Sequence, residues 1–178
     1  VKNLRDYKSY QLITRKFYKY NNVVHVLPDW GDYTIDYYSE GRLKTKYRLD
    51  FGSDIIPSNW VPTTSKDFTE KDYKSENLFR TVFDACESDK YLCALVVGPG
   101  QTNYLVIYNK ATGKTYAGKA SGSYCAQFVG AEGDFVYVLV YPSMIKDNSS
   151  LLEFCKRLDS DGNQNPFVLK LRINPSGQ

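Results

Sequence analysis

Residues able to do chemistry are few in this chain, and the most suggestive lie together. Pro28-Asp29-Trp30-Gly31-Asp32 sets an indole between two carboxylates in a connection between strands. That combination can stack on a sugar ring while the carboxylates accept hydrogen bonds from its hydroxyls. Trp60, within Asn59-Trp60-Val61-Pro62, is a second candidate of the same kind. Packing of either Trp against a neighbouring sheet is the competing reading. Asp29 and Asp32 as an acid–base pair would suit glycosidase chemistry, but they share one loop, and the outcome depends on a separation that sequence does not fix.

The other chemical motifs dissolve in context. Asp50-Phe51-Gly52 spells the metal-binding triplet of protein kinases, but neither an H-R-D loop nor a Gly-rich phosphate loop accompanies it. Phe51 is expected to pack between sheets, with Gly52 turning the corner. His25 is the only histidine, flanked by valines in a strand, and no G-x-S-x-G elbow exists for it to serve. A hydrogen-bonded strand histidine is expected. Asp159-Ser160-Asp161-Gly162-Asn163 has its glycine too early for a calcium loop and lacks the distal Glu, so it reads as a turn. Gly98-Pro99-Gly100 is a turn outside any dinucleotide-binding context, and Asn148-Ser149-Ser150 reads as a helix cap. No catalytic residue, metal ligand or cofactor is expected.

The cysteines are Cys86, Cys93, Cys125 and Cys155, with no C-x-x-C pair and no histidine at zinc-finger spacing. Cys93 and Cys125 sit in apolar runs, where buried thiols are the simpler expectation; an even count leaves disulfides open. A formal net charge of +3 with scattered basic residues argues against nucleic acid. No apolar run approaches the length of a membrane-spanning helix.

The elements that position these residues are strands. Sixteen Tyr and nine Phe favour a pleated sheet. Alternation predicts strands over 11–20, Val23–Leu27, Tyr33–Tyr38 and Leu43–Phe51, with a polar break at Ser39-Glu40-Gly41. An excursion follows over 53–77, with a short helix from Thr64 or Ser65 through Glu76. The rhythm returns at Leu78–Cys86, Tyr91–Val97, Tyr104–Tyr108 and Thr115–Lys119. A third group comprises Ser123–Val129, Phe135–Tyr141 (the most apolar of all) and Phe167–Ile173, interrupted by a helix from Asn148 or Ser149 through Leu158. The expectation is an all-β chain of three blade-like repeats, about 11–52, 78–120 and 122–174, the last lacking a strand, forming one domain over 1–178.

Strand quartets at a period of about 45 residues are the mark of a β-propeller. The run Tyr33-Thr34-Ile35, then Tyr47-Arg48-Leu49-Asp50-Phe51-Gly52 and Ile56-Pro57, resembles the Y-x-L-D-F-G…I-P signature of the six-bladed β-propeller proteins of the Bacteroidetes. Asn165-Pro166-Phe167-Val168-Leu169-Lys170-Leu171 looks like that family's C-terminal end. One departure, the extra residue in Asp32-Tyr33-Thr34-Ile35, bears on local strand register. The resemblance implies the C-terminal half of such a propeller, extracytoplasmic in the cell envelope and often lipid-anchored, although no anchor lies in this chain. Its role would be non-catalytic, binding a glycan, peptide or protein through Asp29, Trp30, Asp32 and Trp60; the alternative is a polysaccharide hydrolase or lyase using acidic loop residues. Three blades do not close a ring. The chain is therefore expected to be completed by a missing N-terminal half, or by a second copy about a two-fold axis, each lending its N-terminal segment to the other's last blade.

Overall fold

The computed structural model describes residues 16–28, 31–56, 78–120, 127–141, 153 and 165–174. These form three antiparallel sheets. The first is the meander β1 (Phe17–Tyr20), β2 (Val23–Val26), β3 (Thr34–Ser39) and β4 (Arg42–Arg48). The second is β5 (Thr81–Glu87), β6 (Tyr91–Val97), β7 (Asn103–Asn109) and β8 (Thr115–Lys119), again in sequence order. The third has β10 (Phe135–Val140) between β9 (Gln127–Glu132) and β11 (Phe167–Arg172). The 4-4-3 strand count agrees with the periodicity, and the all-β expectation holds for the described residues. Both predicted helices lie outside them, except for Glu153, which is helical. By contact, the chain divides into one unit of residues 1–84 and 95–103 and another of 85–94 and 104–178.

Two-residue turns set the register of the first sheet. Asn21 and Asn22 take φ of 48° and 62°, and Glu40 and Gly41 take 53° and 78°. Positive φ at both central positions matches the right-handed twist of the strands they join. Tyr20 thereby faces Val23, and Ser39 faces Arg42. The register of β3 against β4 shifts between Ile35 and Asp36, leaving Lys46 as the extra residue between Thr45 and Tyr47. β4 ends three residues earlier than the alternation suggests. Leu49 still donates its amide to the Tyr33 carbonyl, but Asp50 then accepts the Gly52 amide at 2.8 Å, and Gly52 turns with φ of 63°.

The second sheet holds the most enclosed strand. Every residue of β6, YLCALVV, is buried, whereas β10 alternates between buried and half-buried positions. Sequence pointed to Phe135–Tyr141 as the most apolar strand. Apolarity alone does not rank burial, because a strand covered on both faces is enclosed at every position while one covered on a single face is enclosed at every second. Cys86 and Cys93 are buried, Cys93 as expected of a small hydrophobe in an apolar run; Cys125 and Cys155 lie outside the described residues.

Candidate functional site

Of the four candidate binding residues, Asp32 is described; Asp29, Trp30 and Trp60 lie outside the described residues. Asp32 is exposed, and its Oδ1 accepts hydrogen bonds from the Thr34 amide at 3.0 Å and the Thr34 hydroxyl at 2.9 Å. This is an Asx turn: the carboxylate satisfies the first residue of β3 and fixes the angle at which the β2–β3 connection enters the sheet.

The extra residue of that connection proves to be its anchor. Tyr33 is buried, and its hydroxyl donates to the Phe79 carbonyl at 2.7 Å while accepting the Ile56 amide at 3.0 Å. Burial pushes the phenol pKa above its ordinary value; the Ile56 amide and the Arg80 charge oppose the rise. Alongside, the Gly31 amide donates to the Arg80 carbonyl at 3.0 Å. Gly31 has φ of 76°, and a Cβ there would lie 3.8 Å from Ile56 Cγ2. Tyr33 and Ile35 are both buried at alternate positions, and the register of β3 against β4 shifts immediately after them, between Ile35 and Asp36.

Phe51 completes the junction. Its ring meets Tyr33 edge-on at 5.5 Å and stacks on Phe79 at 4.2 Å. Ile55 and Phe79 form a parallel bridge, and the Phe79 amide donates to the Asp54 carbonyl. The kinase-like triplet is therefore structural: Asp50 forms a turn, Phe51 packs and Gly52 bends. The described end of the 29–32 connection and the described start of the 53–77 excursion meet here. Tyr33, unnoticed as a functional residue in the sequence, joins them.

His25 is buried in a cluster of tyrosines. Its ring stacks on Tyr18 at 4.6 Å and lies near Tyr20 and Tyr37, and Lys46 Nζ is 3.0 Å from Nε2. Lys46 also lies over the rings of Tyr20 and Tyr47, at 4.9 and 5.3 Å. The bulge residue of β4 thus supplies the cation that reaches the histidine. An ammonium donates only, so Nε2 accepts and the proton belongs on Nδ1. These contacts are those of a histidine packed among aromatic rings and hydrogen-bonded within the sheet.

A third polar cluster ties turns together. Ser88, buried between β5 and β6, donates to the Gly133 carbonyl at 3.0 Å and accepts the amides of Lys90 and Tyr91. Lys110, in the β7–β8 turn, donates to the Ser88 carbonyl and pairs with the fully buried Glu87 carboxylate at 2.6 Å. Lys90 meets both carboxylate oxygens of Asp134 at 3.1 and 3.2 Å. These contacts hold three turns at one end of unit two. The signal was faint: Lys110 stands in an ordinary turn, Asn109–Gly113, and nothing in its spacing marks Glu87 as its partner.

Among the described residues, no group of three or more His, Cys, Asp or Glu side chains could hold a metal ion. Gly98-Pro99-Gly100 opens a single 3-10 turn, Pro99–Gln101. Residues 148–150 and 159–163 lie outside the described part.

No family model and no curated protein sequence matches this chain. It is similar in fold to the crystal structure of a protein of Bacteroides fragilis described by its name as a candidate exported protein. The TM-score is 0.61 at 16% sequence identity, over 89% of this chain. The match spans 49% of that protein's length. At this identity the likeness concerns fold alone.

Proposed function

We propose that this chain is part of an extracytoplasmic, propeller-type module that binds a glycan without transforming it. Its binding surface is formed by Asp29, Trp30 and Asp32 of the β2–β3 connection together with Trp60 of the excursion. The observation that carries the reading is the Tyr33 junction. Trp30 adjoins Gly31 and Trp60 follows Ile56 by four residues, and Gly31, Tyr33 and Ile56 are locked side by side. Two aromatic-bearing segments thus leave the sheet from one rigid base, as a pre-organised binding surface needs.

Several features support the propeller reading: the strand quartets, their meander order and the blade-ending motif over Tyr47–Pro57. The candidate exported neighbour supports an extracytoplasmic address. Among the described residues no helix is long and apolar enough to cross a membrane. Screening the intact chain on an array of neutral and acidic glycans tests this: retention of one structural class is expected, and no binding to any class contradicts it.

A further inference from the structure

The two described cysteines lie on the two strands of one hairpin. Ser88 donates its amide to the Tyr91 carbonyl at 2.9 Å across the turn Asp89-Lys90, and β5 and β6 are neighbours in the second sheet. Two residues back along β5 from Ser88 is Cys86, and two residues on along β6 from Tyr91 is Cys93. The hairpin register therefore sets Cys86 opposite Cys93.

Opposite residues of an antiparallel pair have Cα atoms about 4.5–5.5 Å apart and share one face of the sheet. That separation falls inside the span of about 4.4–6.8 Å that a disulfide bridges without moving the backbone. Cys86 and Cys93 are 2% and 1% exposed, and both stand as thiols in this structure. Sulfurs so enclosed react while the hairpin is forming, before β5 and β6 are covered.

We infer that Cys86 and Cys93 are one redox site: a cross-strand disulfide where the chain folds beside a disulfide oxidant, and a dithiol where it does not. One cysteine thiolate attacks the oxidant's disulfide and displaces a thiol, and the second cysteine then attacks the mixed disulfide and displaces the other. Two electrons pass to the oxidant, and the two cysteine protons end on its released thiols. The new bond fastens the base of the turn from which Ser88 reaches the Gly133 carbonyl and Lys90 reaches Asp134. It thereby fixes the turn on which that polar cluster depends. The inference is independent of the glycan and takes from the extracytoplasmic reading only the oxidising surroundings.

Peptide mapping of the 178-residue chain tests it. The reduced chain is unfolded, refolded with oxidised glutathione in excess, alkylated under denaturing conditions, and taken as the monomer band of a non-reducing gel. Trypsin cuts after Arg80, Lys90 and Lys110, so the two cysteines fall in separate peptides, 81–90 and 91–110. The expected product is these two peptides joined, without alkyl groups and lighter than their sum by two hydrogens. Dithiothreitol before alkylation should give them apart, each carrying one alkyl group. Two alkylated peptides after refolding in oxidised glutathione overturn the inference, as does either cysteine joined instead to Cys125 or Cys155.

Discussion

The hydroxyl of Tyr33 accepts the amide of Ile56 at 3.0 Å, joining the last residue before β3 to a described residue near the start of the excursion. The same oxygen donates to the Phe79 carbonyl, so one phenol satisfies backbone groups in two distant segments. Replacing it with phenyl leaves the Ile56 amide and one acceptor site of the Phe79 carbonyl without this partner.

Tyr33→Phe is expected to cost about 1–3 kcal/mol, the penalty for stranding buried polar groups. Urea denaturation followed by circular dichroism measures it. Tyr33→Phe should also reduce binding without removing any residue that touches ligand, because it frees the stems of both segments.

The Tyr33 phenol predicts an alkaline limit. Its folded-state pKa is raised above the ordinary 10.0, so the neutral phenol is favoured by folding. That contribution is complete below the unfolded value and is lost as pH rises through the folded one. Wild-type stability should therefore fall as pH climbs past 10, by more than in Tyr33→Phe. Parallel pH profiles for the two proteins would contradict this.

Lys110→Met removes the ammonium from the buried Glu87 carboxylate and should destabilise the chain by on the order of 3 kcal/mol. Adding Glu87→Gln should recover a large part of that, since a neutral amide does not need the cation. A double-mutant cycle on thermal or urea stability reads the coupling. Additive losses would show that the pair is not coupled.

The imidazole of His25 should be the Nδ1–H tautomer at neutral pH, because Lys46 donates to Nε2. A long-range 1H–15N correlation spectrum distinguishes the two ring nitrogens. An Nε2–H pattern would mean that Lys46 does not hold this place in solution.

Much of the sheet architecture was legible because it depends on alternation and turn residues. Asn21-Asn22 and Glu40-Gly41 mark their hairpins, and Tyr91–Val97 and Thr115–Lys119 begin and end where the pattern says. The end of β4 was misplaced because Leu49 and Phe51 continue the alternation while Asp50 and Gly52 turn the backbone away. Polar contacts between distant segments were not legible. Tyr33 reads as a surplus residue in the sequence because its partners stand 46 and 23 residues away, and Ser88 with Lys110 leaves no local spacing to read for the same reason, with partners 45 and 22 residues away. Asp32 was picked out for its carboxylate, and its Asx turn with Thr34 shows that it also shapes the connection it stands on.

The most direct test of the account is affinity electrophoresis through gels containing the glycan class retained on the array. It compares wild type with Trp30→Ala, Trp60→Ala and the double variant, with a melting temperature recorded for each. One surface built on the Tyr33 junction predicts that either single substitution abolishes retardation, that the double adds nothing further, and that melting temperatures stay within a few degrees of wild type. Retardation unchanged by both substitutions, or a large fall in melting temperature marking these indoles as core, would contradict it.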